Sequence, residues 1–206
     1  MEAEVAVKRA RKLPESTPPY LLLKANAGQI PLLDNCVSLV IATPPYVGTK
    51  RFRRGEYCTS DVEVYRAQIS GFLTEAIRIV EPSRHIVLIS SRPPVRKSSG
   101  ARTVTFHLLQ KQISHGGWNC KRVKSIDVRT HYVDVKNFPW WALPIKLYRD
   151  LLQRYSRPGE TVAHVFSGSG NSCIAALESG RRAVLIDLHY HRLVRRRLNK
   201  WIQSQR

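Results

Sequence analysis

The tetrapeptide TPPY at residues 43–46 follows directly on the apolar run VSLVIA at residues 37–42. A threonine hydroxyl and a backbone carbonyl can both accept hydrogen bonds from an amino group, and two successive prolines hold the backbone extended. Such acceptors favour a pyramidal, more electron-rich nitrogen, while an aromatic ring can stack on a flat heterocycle. The tetrapeptide is therefore a candidate catalytic loop for chemistry on an exocyclic amino nitrogen. Its residues are Thr43, Pro44, Pro45 and Tyr46.

TPPY occurs a second time, at residues 17–20. That copy follows the charged stretch RKLPE at residues 11–15, which gives it no strand to position it. Ligands in α/β sheets bind beyond the carboxyl ends of the strands, where the copy at 43–46 is predicted to lie. We therefore assign the catalytic role to residues 43–46 and interpret residues 17–20 as part of a proline-rich linker.

A glycine-rich turn, FSGSGNS at residues 166–172, lies between an apolar run and a predicted helix. Gly168 and Gly170 lack a Cβ, which lets a ligand approach the backbone, and the helix start offers free N–H groups. Asp187 ends the next apolar run and is placed to accept hydrogen bonds from ribose hydroxyls. No lysine follows the glycines, as a phosphate-binding P-loop would require. The turn predicts a nucleoside-containing cofactor, although several such cofactors use a turn of this kind.

Apolar runs and amphipathic segments alternate along the chain, which predicts an α/β domain with helices on both faces of a sheet. Residues 1–19 are basic and proline-rich and predict an extended arm, followed by a single domain at residues 20–206. Strands are predicted at residues 20–25, 37–42, 85–89, 161–166 and 183–188, with further strands within 120–132. Helices are predicted at residues 61–80, 105–114, 144–155, 172–179 and 191–206.

The charge is strongly positive, with 34 Lys and Arg against 15 Asp and Glu and a formal net charge of +19. A field of that sign favours a polyanionic partner, DNA or RNA. No apolar run reaches the roughly 18 residues of a membrane span, so we expect no membrane partner. The four cysteines have no metal-ligand spacing, so we expect reduced thiols and no metal. The predicted nucleic-acid contacts are Lys50, Arg51, Arg53, Arg54, Lys121 and Arg122.

The two motifs and their flanks resemble the beta class of amino-methylating DNA methyltransferases. Residues 157–172 (RPGETVAHVFSGSGNS) are similar to the family pattern PPGDTVLDPFAGSGTT, and residues 175–182 (AALESGRR) to AALELGRR. Residues 25–37 (ANAGQIPLLDNCV) are similar to GDARHLPLADNSV, which leads into the catalytic motif. The order, with the catalytic motif before the cofactor motif, is the permuted order of the beta class. The resemblance extends from residue 20 to about residue 195.

This resemblance implies a Rossmann-like fold dependent on S-adenosylmethionine, with a mixed, mostly parallel sheet and the permuted motif order. It also implies DNA as the partner, with the target base rotated out of the duplex. A threonine at the head of PPY is associated with N4 of cytosine, with N6 of adenine as the second expectation. The implied cofactor-binding residues are Asn26, His164, Phe166, Ser167, Gly168, Ser169, Gly170, Asn171, Ser172 and Asp187.

The chain departs from the family pattern at three positions. His164 replaces an aspartate expected at the ammonium end of the cofactor, Val165 replaces a proline, and Asn26 replaces an acidic residue expected near adenine. A catalytically weakened homologue that serves as a basic DNA-binding module therefore remains as an alternative. An RNA amino-methyltransferase is a further alternative. Residues 91–136 would form a reduced target-recognition region, which predicts low sequence specificity, a homodimer or a helper subunit. We expect a cytoplasmic, nucleoid-associated protein, or a nuclear one in a eukaryote.

Overall fold

The computed structural model describes residues 19–45, 59, 61–89 and 143–205. The predicted arm at residues 1–18 and the predicted recognition region at 91–136, with its predicted helix and strands, lie outside these residues. The same is true of the candidate residues Tyr46, Lys50, Arg51, Arg53, Arg54, Lys121 and Arg122.

The described strands form a five-stranded sheet in the order β1-β5-β4-β2-β3. All four strand pairings are parallel. The strands are β1 (Tyr20–Leu23), β2 (Val37–Ala42), β3 (Val80–Leu88), β4 (Thr161–Val165) and β5 (Arg182–Ile186). Every residue of β2 is buried because β2 lies between two strands and is covered on both faces, as its unbroken apolar sequence predicts.

Four helices of the described residues cover the sheet: α1 (Val62–Ile79), α2 (Ile145–Tyr155), α3 (Asn171–Glu178) and α4 (His191–Gln203). The core accordingly has two halves. Helix α1 packs on one face together with the residues that follow β1, and α2, α3 and α4 pack on the other. Helix α1 begins where the side chain of Asp61 accepts hydrogen bonds from the backbone of Glu63 and Val64. The predicted Rossmann-like class, with helices on both faces of a mostly parallel sheet, is confirmed.

The chain leaves β2 and β4 in opposite directions. From β2 it passes through α1 to β3 at one edge, and from β4 it passes through α3 to β5 on the other side. Connections that diverge in this way open a crevice at the carboxyl ends of the two strands, where α/β proteins bind their ligands. The catalytic motif follows β2 and the glycine-rich turn follows β4, so both predicted motifs flank this crevice.

The predicted bounds of most elements differ from the observed ones by a few residues at most. The largest difference is β3, which begins at Val80 instead of residue 85, immediately after α1. Its pairing with β2 shifts register between Val37 and Leu39. Ser83 has a φ of +63°, so this part of β3 is irregular, and a pattern of regular alternation could not show it.

The segment between β1 and β2 is fastened to α1 by Arg78. Its guanidinium donates to the carbonyls of Ile30 and Leu32, to Asp34 and to Glu75. Glu75 also accepts a 2.7 Å hydrogen bond from the backbone N–H of Ile30. The hydrogen bond from Arg78 is the main reason that the pKa of Glu75 lies below its ordinary value. The segment that carries Asn26 is thus attached to a rigid helix.

The described part of the chain contains no helix long and apolar enough to cross a bilayer. In the same residues, no cluster of three or more His, Cys, Asp or Glu side chains could hold a metal ion. Cys36 and Cys173 are buried free thiols, and burial raises the pKa of each.

Candidate active site

The candidate residues lie along one edge of the sheet. The last residues of the five strands pair in a single row: Leu23, Ile186, Val165, Ala42 and Leu88. Just beyond this row come Asn26 after β1, Asp187 after β5, the turn at 166–172 after β4, and Thr43 after β2. The predicted cofactor residues therefore extend over three neighbouring strands, and the predicted catalytic loop begins on the fourth.

Thr43 connects the two motifs directly. Its hydroxyl Oγ1 donates a 2.8 Å hydrogen bond to the carbonyl of Phe166, and its backbone N–H donates to the carbonyl of Val165 at 3.3 Å. The hydroxyl of Tyr65, a fully buried residue of α1, donates a 2.7 Å hydrogen bond to the carbonyl of Pro45. The extended loop is thus held from the neighbouring strand end and from the helix beneath it.

The glycine-rich turn is built from left-handed backbone. Phe166 has a φ of +59°, Gly168 of +52° and Gly170 of +78°. A left-handed conformation at a phenylalanine is unfavourable and persists only where the surroundings hold it. The carbonyl of Phe166 accepts the Thr43 hydrogen bond, and its ring packs edge-on against Phe72 of α1 at 5.2 Å. Strained backbone of this kind is typical of functional sites.

Asp187 fastens the glycine-rich turn from the end of β5. Its Oδ2 accepts a 2.9 Å hydrogen bond from the backbone N–H of Gly168. Its Oδ1 accepts from the backbone N–H groups of His189 and Tyr190, at 2.8 and 3.1 Å. A carboxylate oxygen has about two acceptor positions. These contacts fill Oδ1 and leave one position on Oδ2 for a ligand hydroxyl, so Asp187 has a structural role beside the predicted one.

Arg197 of α4 contacts the other side of the glycine-rich turn through hydrogen bonds. Its guanidinium donates to the carbonyl of Ser169 at 2.5 Å and to Oδ1 of Asn171 at 2.8 Å. The amide nitrogen of Asn171 donates in turn to the carbonyl of Leu143 at 2.8 Å. Ser169 and Asn171 are thus held within the protein at the start of α3. Both polar atoms of the Asn171 side chain thus have partners within the protein, so this side chain has a structural role beside the predicted cofactor role.

Ser167, in the middle of the turn, is 3% exposed. Its Oγ is buried without a hydrogen-bond partner among the described residues. Burying a hydroxyl without a hydrogen-bond partner costs free energy, and a hydrogen bond to a polar ligand would offset that cost. The hydroxyl of Ser167, the acceptor position on Asp187 and the left-handed backbone at Gly168 together fit a nucleoside cofactor at this edge. The absent Cβ of Gly170, in contrast, leaves room for Val194 of α4.

Asn26 and His164 differ in their access to the edge. Asn26 is half-buried, and its Oδ1 accepts a 2.9 Å hydrogen bond from the backbone N–H of Gly28, which shapes the turn after β1. His164 lies inside β4, is 2% exposed, and contacts Thr43 and Ser172 through its two ring nitrogens. Its two ring nitrogens therefore contact the catalytic motif and the start of α3, and its ring packs against Tyr148 of α2.

Two residues of this site were not predicted from the sequence: Tyr65 and Arg197. Each lies on the inner side of an amphipathic helix and sends a polar group toward the strand ends. The helical period gives a signal for Arg197, because it lies three residues after the buried Val194 and directly before the buried Leu198.

Comparisons with known proteins agree with this geometry. Residues 118–194 match a family model described as DNA methylase, of the N6/N4 type. The matched segment contains the glycine-rich turn and Asp187 and begins well after residues 43–46, which it does not include. These findings support the predicted family.

A sequence relative is YubD of Escherichia coli (strain K12), named as a candidate methylase. It is 40% identical over 57 residues, which are 27% of this chain and 25% of that protein.

Solved structures share the fold over most of the chain. A candidate DNA modification methylase of Thermus thermophilus superposes with a TM-score of 0.59 at 18% identity, covering 88% of this chain and 94% of that one. The cytosine-N4-specific PvuII DNA methyltransferase superposes with a TM-score of 0.58 at 12% identity, covering 84% and 85% of the two chains. At these identities the likeness shows a common fold.

Proposed function

We propose that this protein is a DNA methyltransferase that uses S-adenosylmethionine to methylate an exocyclic amino group, N4 of cytosine. The observation that carries the proposal is the 2.8 Å hydrogen bond from the Thr43 hydroxyl to the Phe166 carbonyl. It joins the predicted catalytic loop to the predicted cofactor turn at the crevice between β2 and β4. The match of residues 118–194 to a DNA methylase model supports the same function.

The hydroxyl of Thr43 acts as an acceptor for the substrate. Because its single hydrogen is directed to the carbonyl of Phe166, Oγ1 offers lone pairs to an approaching amino group. The carbonyl of Pro45 is engaged by Tyr65, so we assign the second acceptor to the carbonyl of Pro44. Two acceptors on the amino hydrogens favour a pyramidal nitrogen with an available lone pair, in the geometry that methyl transfer requires.

The cofactor residues are those that border the glycine-rich turn. When bound, S-adenosylmethionine supplies a methyl group on a sulfonium centre, which accepts the electron pair of the broken bond. We assign one ribose hydroxyl contact to Asp187 Oδ2, and a polar contact to the hydroxyl of Ser167, which has no hydrogen-bond partner among the described residues. The methylated amino nitrogen must then lose one proton. His164 is not its acceptor, because burial lowers its pKa to about 3; we assign the proton to solvent.

A methyl-transfer assay with labelled S-adenosylmethionine tests this proposal. Three arms receive duplex DNA, RNA or no nucleic acid, and the methylated base is identified after digestion. Label in N4-methylcytosine of the DNA arm is the expected result. Label in N6-methyladenine would correct the base, and label in RNA alone would correct the substrate. Absence of label in all arms, with DNA binding retained, would replace the proposal by the weakened DNA-binding homologue.

The salt dependence of DNA binding should separate direct phosphate contacts from overall charge. Residues 50–54 follow the catalytic motif in the sequence, and the triple variant Arg51→Ala/Arg53→Ala/Arg54→Ala removes three charges from this segment. If each arginine meets one phosphate, the slope of log affinity against log salt should weaken by up to about 3 units. Fluorescence anisotropy of labelled duplex DNA at several salt concentrations measures the slope.

Helix α4 provides the matched control with the same loss of charge. Arg192, Arg195 and Arg196 are exposed on α4, which contacts β1 at the edge of the sheet, three positions from β2 in the strand order. Replacing these three with alanine should change the slope by less than about one unit. Equal changes in both variants would show that net charge, and not the segment at residues 50–54, sets the salt dependence.

A further inference from the structure

His164 lies inside β4, beside Ile41 of β2. Its ring packs against Tyr148 of α2, with a distance of 5.2 Å between the ring centroids. The side chain is 2% exposed, and burial lowers its pKa to about 3. The imidazole is therefore neutral near pH 7 and has one N–H donor and one acceptor nitrogen.

The hydrogen bonds around the ring determine which nitrogen carries the hydrogen. Nε2 of His164 lies 3.4 Å from Oγ1 of Thr43, and the hydrogen of that hydroxyl is already donated to the carbonyl of Phe166. Nε2 can bond to Oγ1 only as a donor, so the proton is on Nε2. Nδ1 is then an acceptor, and the hydroxyl of Ser172 donates to it. The chain of donors runs from Ser172 through His164 and Thr43 to Phe166.

We infer that His164 is a positioning residue for Thr43: its Nε2–H, oriented by Ser172, holds Oγ1 so that one lone pair remains for the substrate amino group. This inference rests on the catalytic role proposed for Thr43. A hydroxyl oxygen can accept two hydrogen bonds, and His164 occupies one of these acceptor positions on Oγ1. The bonds to His164 and to the carbonyl of Phe166 together fix the orientation of the hydroxyl, and with it the direction of the second acceptor position. The histidine thus supplies a donor that an aspartate at this position lacks.

An aspartate at position 164 would reverse the direction of the hydrogen bond between residue 164 and Thr43. A carboxylate has no hydrogen to donate, so it would compete with the Phe166 carbonyl for the hydrogen of Thr43. The hydroxyl would then turn, and its lone pairs would no longer be fixed for the substrate. His164→Asp is therefore expected to lower kcat, although it restores the residue found in the family pattern.

Three variants test the positioning role. The amide nitrogen of a glutamine can occupy a place near that of Nε2 and donate to Thr43, whereas leucine fills the space without a donor. His164→Leu and His164→Asp are expected to lower kcat about tenfold or more, with affinity for S-adenosylhomocysteine unchanged. His164→Gln should restore most of the loss. A folded His164→Leu variant with the kcat of the wild type would overturn the inference. Loss of S-adenosylhomocysteine affinity at unchanged kcat would do the same, because it would make His164 a cofactor contact.

The tautomer of His164 can be measured without substrate, cofactor or activity. A long-range ¹H–¹⁵N correlation spectrum of the wild-type protein distinguishes the two neutral forms of each histidine, and the resonances absent from His164→Gln identify His164. We expect the Nε2–H form, with no titration between pH 5 and 8. An Nδ1–H form, or an imidazolium at neutral pH, would overturn the inference even if no leucine variant folds. A protein with the Nε2–H form that methylates no nucleic acid would instead refute the proposed function of Thr43.

Discussion

Replacing Thr43 with valine is expected to lower kcat for methyl transfer by about 100-fold or more, the scale on which single hydrogen-bonding groups act in a transition state. Valine keeps the shape of threonine and removes only Oγ1, which we assign as an acceptor for the substrate amino group. Affinity for S-adenosylhomocysteine should fall much less than kcat, because Thr43 contacts the cofactor turn through one hydrogen bond, to Phe166, and one from its backbone to Val165. The carbonyl of Phe166 loses the hydrogen bond from Thr43, so urea denaturation should show a free energy of unfolding lower by about 0.5–1.5 kcal/mol.

Two further substitutions control this result. Thr43→Ser keeps the hydroxyl and should retain most of the activity. Thr17→Val makes the same change in the first copy of TPPY and should have no effect on kcat, since that copy ends at Tyr20, the first residue of β1, and the candidate site lies beyond the last residues of the strands. An inactive Thr17→Val variant together with an active Thr43→Val variant would move the catalytic loop to the first copy.

The sequence was sufficient to predict the elements that flank the site. The run VSLVIA has no alternation because β2 is buried on both faces, and its predicted bounds are those observed. The glycines of the turn were informative because left-handed backbone is readily adopted only by glycine. Phe166 gave no such signal, since its positive φ is imposed by contacts with Thr43 and Phe72, which come from distant parts of the chain.

Contacts between distant segments could not be predicted from local patterns. Thr43 and Phe166 are 123 positions apart, and their hydrogen bond exists because β2 and β4 are neighbours in the sheet. A local pattern predicts a strand but not its neighbour. The role of His164 depends on the same adjacency, together with the packing of α2 and α3 on that face. From the sequence it was interpreted as a cofactor residue, and the structure gives it contacts with Thr43 and Ser172.

Arg197 has a structural role that its position in a run of three arginines does not indicate. The sequence RRR at residues 195–197 lies in a basic tail, whose arginines could equally contact phosphates or form a solvated helix face. In α4, two of them are exposed and Arg197 is half-buried, with hydrogen bonds to Ser169 and Asn171. Burial also lowers the pKa of Arg197 below its ordinary value. The difference arises from the helical phase, which places Arg197 on the same side as Val194 and Leu198.

Gly170→Ala is expected to lower the free energy of unfolding by about 2–4 kcal/mol. Gly170 has a φ of +78°, and a Cβ at this position would lie 2.8 Å from Cγ1 of Val194 in α4. Two effects therefore add: the strain of a left-handed alanine, and the displacement of α4 or of the turn. Because the turn borders the proposed cofactor site, affinity for S-adenosylhomocysteine should fall as well. Urea denaturation and calorimetry measure the two losses.

The two effects can be separated with a matched glycine and a double variant. Gly159 has a φ of +84° and would meet nothing within 4 Å of an added Cβ. Gly159→Ala should thus cost only the left-handed strain, about 1–2 kcal/mol, and leave cofactor affinity unchanged. Val194→Ala removes the obstructing methyl groups, so Gly170→Ala/Val194→Ala should be about 1–3 kcal/mol less destabilised than the sum of its single variants. If the free-energy changes of the two single variants simply add, then Val194 does not obstruct a Cβ at residue 170, and backbone strain accounts for the whole loss of stability.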